Sequence, residues 1–210
     1  MFDKVIGLMK ELAPLGVSVA ALMVAYNSYV ISQNQLLIST KGVEPHFYVS
    51  EVPLYDEKTK SWYERELKVF NIAAPVANVN ISVRSYYKIN DYGEYGERWI
   101  PLSGYYYASF ATGEPTGLLS TFKGMNNATK DFNATFVAYR DNNSDYHNVE
   151  LEHMTYIDYQ AYDGAKREVC FRNQVLVECS IVNGYRSSEA APLELDGLTY
   201  EKLISKYKSL

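Results

Sequence analysis

From Leu12 to Ile31 the chain reads LAPLGVSVAALMVAYNSYVI without a single charge. As a helix this stretch is about 30 Å long, which matches the hydrocarbon thickness of a bilayer. A single transmembrane crossing is therefore expected, running through Leu12, Gly16, Ala20, Met23, Tyr26 and Ile31. Tyr26 and Tyr29 fall at headgroup level on the outgoing side, and Phe2, Lys4 and Lys10 flank the incoming side. A buried helix of a soluble protein is the competing reading, since Pro14, Ser18, Asn27 and Ser28 dilute the apolar character. Soluble helices seldom run this far without a charge, and that decides for the anchor. A cleaved signal peptide fits less well, because Asp3 and Glu11 sit in its leading region and a cut after Ala25 puts Met23 where a small residue is required.

The anchor divides the rest. A polar, helix-compatible stalk follows Ile31, and Gly42 with Pro45 ends it. The expected organisation is residues 1–42 as anchor and stalk, 43–185 as a β-rich domain, and 186–210 as a loop and C-terminal amphipathic helix. Lys4, Lys10 and the free amino terminus precede the crossing and only Lys41 follows closely, so the basic flank predicts the amino terminus inside the cell membrane and the β domain outside. Gly16 with Ala20, and Ala21 with Ala25, form small-residue stripes that predict a homo-oligomer through the anchor.

Beyond the stalk the pattern is that of strands. In VNISVRSYYKI, Val79, Ile81 and Val83 alternate with Asn80, Ser82 and Arg84, as in a strand with one face buried. HFYVSEV and LKVFNI are expected strands, with YDEKTKSWYERE between them as a loop or hairpin tip. Asp163-Gly164 is a hairpin signal between VELEHMTYIDYQAY and AKREVCF, and VLVECSIV reads as a further strand. Residues 131–140 place Phe132, Phe136 and Tyr139 at helical spacing, with a strand reading also open. Tyr200, Leu203, Ile204 and Tyr207 mark one face of a terminal helix capped by Thr199 or Asp196, which packs on the sandwich or else rests as an amphipathic tail on a membrane. Tyrosine makes up 20 residues against 8 Phe and 2 Trp, which suits half-wet strands. The fold class expected is mainly β, an antiparallel sandwich or barrel-like domain on a transmembrane helix, closed by a short C-terminal helix.

Few residues invite chemistry. His147, Glu150, Glu152 and His153 crowd together, yet H-E-x-x-H is missing and strand alternation points the histidines and the glutamates to opposite faces, so no metal is expected. TGEPTG, residues 112–117, lacks the Lys-Ser/Thr of a phosphate-binding loop. The sequons at Asn80, Asn127, Asn133 and Asn142 read as chance in an Asn-rich chain. Cys170 and Cys179 are open to a single bridge or to two reduced core thiols. No nucleophile and base converge, so no enzyme and no cofactor are expected. The net charge is −5, with the acidic excess beyond Gly42, which argues against a nucleic acid polymer as partner. Tyr105, Tyr106 and Tyr107 alternate faces, so at least one ring is expected on an interaction surface.

The succession of anchor, QLLISTKGVEPHFYV and LKVFNIAAPVANVNISV, with Pro45, Phe47, Asn71 and Asn78 in their contexts, resembles a loose group of uncharacterised bacterial proteins. In these an N-terminal membrane helix leads through a polar stalk into a β-rich domain. The resemblance covers about the first 90 residues and implies no site residue. In outline the chain also resembles anchored β-barrel defence effectors, which cross the bilayer twice. Two functions are expected: a membrane-anchored binding or scaffold module with a protein partner, and a membrane-associated signalling or defence effector whose β domain senses a small ligand.

Overall fold

The computed structural model describes residues 18, 21–32, 44–90, 95–135, 147–186 and 191–210. The chain divides into two compact units, Met1–Glu44 and Pro45–Leu210. In the first, residues 21–32 form helix α1, on which Met23, Tyr26 and Ile31 are exposed. Among the described residues no helix is long and apolar enough to cross a membrane. Leu12, Gly16, Ala20 and residues 33–41 of the stalk lie outside the described residues.

The second unit is mainly β with a short C-terminal helix. Its strands are β1 (Phe47–Asp56), β2 (Ser61–Asn71), β3 (Ala77–Asn90), β4 (Glu97–Ser103), β5 (Ala108–Ala111), β6 (Gly117–Lys123), β7 (Asn148–Gln160), β8 (Lys166–Arg172), β9 (Val175–Val177) and β10 (Leu193–Glu194). They form a four-stranded sheet of order β1-β2-β6-β5 and a six-stranded sheet of order β10-β4-β3-β7-β8-β9. Pairing is antiparallel except between β10 and β4. Three helices accompany the sheets: α2 (Asn127–Thr135), α3 (Cys179–Arg186) and α4 (Tyr200–Ser209).

Alternation on β3 and β7 sends two different sets of side chains to the two faces of the six-stranded sheet. At one end of the inner face Val79, Ile81, Val83, Ile157 and Tyr159 meet Val49, Leu67, Val69 and Phe122 of the other sheet. At the other end of the same face Tyr87, Ile89, Ile100 and Leu102 pack with Ala134 of α2 and Leu203 and Tyr207 of α4. The opposite face is covered by α3, where Val182 sits on Tyr86, Met154 and Tyr156. Helix α4 is thus core material rather than a tail free to rest on a membrane. Thr199 is its N-cap, accepting from the Lys202 N–H.

Several local expectations need correction. The hairpin tip is far shorter than YDEKTKSWYERE, because β1 runs to Asp56 and β2 starts at Ser61; a bulge at Leu54/Tyr55 keeps Tyr55 opposite Trp62. VLVECSIV is not one strand: β9 stops at Val177 and α3 begins at Cys179, held by the Cys170–Cys179 disulfide. The helix expected over 131–140 begins earlier, at Asn127, and Phe136 and Tyr139 lie outside the described residues. The hairpin at Asp163-Gly164 forms as its sequence demands, with the Ala161 N–H donating to the Ala165 carbonyl at 2.9 Å.

Candidate functional site

Between the two apolar ends of the inner face lies a polar layer, built from one residue on each of several strands. On β1 the inward row reads Phe47, Val49, Glu51, and on β2 it reads Val69, Leu67, Arg65; Glu51 stands opposite Leu67, and Arg65 follows one step further along the same face. On the facing sheet Ser85 of β3 stands opposite His153 of β7, with Thr155 next on the same face. Tyr105 and Tyr106 complete the layer. After Ser103 the chain leaves the six-stranded sheet, and Gly104, at φ +76, makes the turn that drops both rings between the sheets.

The contacts knit the sheets together. Ser85 Oγ lies 2.9 Å from His153 Nδ1, and His153 Nε2 lies 3.5 Å from Glu51 Oε1. The Tyr106 hydroxyl donates to Glu51 at 3.1 Å, and the Arg65 guanidinium stands 3.9 Å from the same carboxylate. The Tyr87 hydroxyl donates to Asp131 of α2 at 2.8 Å. Tyr105 Oη, Thr155 Oγ1 and His153 Nε2 are buried without a hydrogen-bond partner among the described residues. Asn127 anchors α2 to the layer: it accepts from the Arg65 N–H at 2.8 Å and donates to the carbonyls of Arg65 and Tyr105. That use also removes Asn127 from the sequons, since it is fully buried.

Burial sets the charges. It pushes the Asp131 carboxyl above its usual range, an effect that the Tyr87 hydroxyl and the Arg65 guanidinium offset only in part. Burial also acts on Glu51, but there His153, Arg65 and Tyr106 outweigh it and hold the carboxyl below the usual range. The Tyr87, Tyr105 and Tyr106 hydroxyls are raised by burial far above any physiological pH. Ser85, His153 and Glu51 place a hydroxyl, an imidazole and a carboxylate in line, as an acyl-transfer relay does. However, Ser85 is 4% and His153 3% exposed, so the hydroxyl faces the interior rather than a space that receives substrate.

Of Tyr105, Tyr106 and Tyr107, among which at least one surface ring is expected, Tyr107 is the exposed one. Tyr105 is buried and Tyr106 half-buried, which corrects the surface reading for those two; the turn at Gly104 breaks the strand and with it the alternation. The crowded His and Glu residues go to four separate contacts. His147 meets the Tyr207 ring, Glu150 meets Lys88, Glu152 takes Arg172 and Asn173, and His153 turns inward to Glu51. Among the described residues the one group with metal-ligand proximity is Glu168, Cys170 and Cys179, and its two sulfurs are bonded to each other.

Aromatic residues missed in the sequence lie on the outer face of the four-stranded sheet. Tyr48 stacks on Phe70 with ring centres 4.6 Å apart, and Tyr55 meets Trp62 edge-on at 5.0 Å. Tyr48, Tyr55, Trp62 and Phe110 are all exposed. Between the two pairs, Glu66 is held by Lys68 at 3.2 Å and Lys123 at 2.6 Å. No family model matches this chain, and no curated protein or solved structure matches it.

Proposed function

We propose that this chain is a membrane-anchored binding module, in which the apolar N-terminal segment holds the protein at the bilayer and the β domain recognises a protein partner without transforming it. The observation that carries the reading is the outer face of the four-stranded sheet. Tyr48, Tyr55, Trp62 and Phe110 are exposed around a fixed ion cluster, with Phe70 half-buried under Tyr48, the composition of a recognition surface. The resemblance to anchored bacterial proteins, the outward-facing β domain and self-association through Gly16 and Ala20 belong to the same proposal. An acidic chain makes a nucleic acid polymer a poor partner.

The test is cross-linking of the full chain in its cell membrane, with a photoreactive residue at Tyr48 or Trp62. A discrete protein adduct at both positions, missing from the same probe at exposed Lys166, supports the reading. Equal labelling at all three positions contradicts it.

A second reading rests on the Arg65 guanidinium, half-buried 3.9 Å from Glu51 and near enough to the Tyr105 and Tyr106 hydroxyls to act on them electrostatically. A half-buried guanidinium suits a small anionic ligand such as a nucleotide, and the module then acts as a sensor that signals through its anchor. Nucleotides that raise the melting temperature of the chain but not of its Arg65→Gln variant would favour this reading.

A further inference from the structure

Strand β4 pairs with β3 only from Ser85 onward, because beyond Ser103 the chain crosses to the other sheet and resumes there as β5. Among the described residues no strand pairs with that side of β3 from Val79 to Val83. Strand β5 is itself an edge, paired only with β6. The two edges border one cleft of about 390 Å³, whose walls include Val79, Ile81, Ser109, Ala111 and Leu119. Val79, Ile81 and Val83 point into the shared core and yet remain half-buried, whereas Ile157, paired with Ile81, is fully buried. Among the described residues these side chains lack cover on one side, along an edge with no strand paired to it.

We propose that this cleft is a strand-addition site: an extended segment of a partner polypeptide pairs with the free edge of β3, faces β5 and completes the burial of Val79, Ile81 and Val83. The inference rests on the binding-module reading and names where one such partner docks. Charge complementarity defines the segment. Glu114 is the one charged residue among the cleft's described lining, so the segment is uncharged and β-branched along its centre, with a basic residue beside Glu114. Backbone hydrogen bonds then supply affinity and alternate side chains supply specificity.

The experiment uses the full chain in lipid nanodiscs and the capped heptapeptide TVTVTVK. In the free protein, alternate amides between Val79 and Val83 exchange quickly while those of paired β7 are protected. The peptide slows them and binds saturably at millimolar concentration or below. Ala111→Trp or Ser109→Trp, each filling the cleft from an exposed position on β5, weakens binding at least about tenfold. A peptide N-methylated at alternate residues does not bind. The proposal is overturned by amides already protected in the free protein, by protection that grows with protein concentration alone (a second copy as occupant), or by failure of the peptide to bind. Indifference of binding to both Trp variants and to N-methylation overturns it as well. Photo-adducts at Tyr48 and Trp62 that persist through such a failure leave the binding module standing.

Discussion

At the scale of single residues, Gly124 and Asn127 hold the polar layer in register. A Cβ on Gly124 would fall on the Tyr105 carbonyl oxygen and the Asn127 carboxamide, neither of which has room to move. Gly124→Ala is expected to lower stability by about 3 kcal/mol in a denaturant titration, as an overpacked site does. Asn127→Ala leaves three backbone hydrogen bonds unmade and should cost about as much. The two carboxylates of the layer act on pH in opposite senses. Glu51 is lowered on folding, so its contribution is present above the ordinary carboxylate pKa and is lost as pH falls through its folded value. Asp131 is raised, so stability present below the ordinary carboxylate pKa is lost as pH rises through its folded value. Asp131→Asn keeps an acceptor for Tyr87 and should therefore raise the melting temperature at pH 7, whereas Glu51→Gln should lower it there and leave the acid limb flatter. None of this layer is legible in the sequence. Glu51, Arg65, Ser85 and His153 sit on four different strands, Tyr105 in the turn after β4 and Asp131 on α2, and only the tertiary fold brings them together.

Among the elements, α3 shows how tertiary contacts override local pattern. VLVECSIV is β-branched and reads as a strand, yet the disulfide seats Cys179 beside β8 and turns the chain into a helix over Tyr86 and Tyr156. The hydroxyls of those tyrosines then donate to the carbonyls of Tyr185 and Val182. Replacing both cysteines by Ser is expected to cost about 2 to 3 kcal/mol, the loop-closure value for so short a ring, with faster amide exchange in Ser180–Tyr185 and little change in β3. The strands themselves were easier to read. Val79, Ile81 and Val83 announce one buried face, and Asp163-Gly164 announces its turn, because both signals are local to the segment that obeys them. The break at Gly104 carried no such signal, since strand residues flank it on both sides.

On the scale of the molecule, the chain divides at Glu44/Pro45, and among the described residues the core clusters are built from residues after that point. Residues 45–210 alone should give a β-type circular dichroism spectrum and one cooperative melt. Should the anchors self-associate, membrane cross-linking loses its dimer band in the Gly16→Ile and Ala20→Ile variants, while an unchanged band removes that interface. The most direct measurement for the whole account is flotation on lipid vesicles, run side by side on the full chain and on residues 45–210. The account predicts that the full chain floats with the vesicles and resists alkaline extraction, while the shorter chain stays folded at the bottom of the gradient. A full chain that remains with the soluble fraction, or a shorter chain that floats equally well, would contradict it.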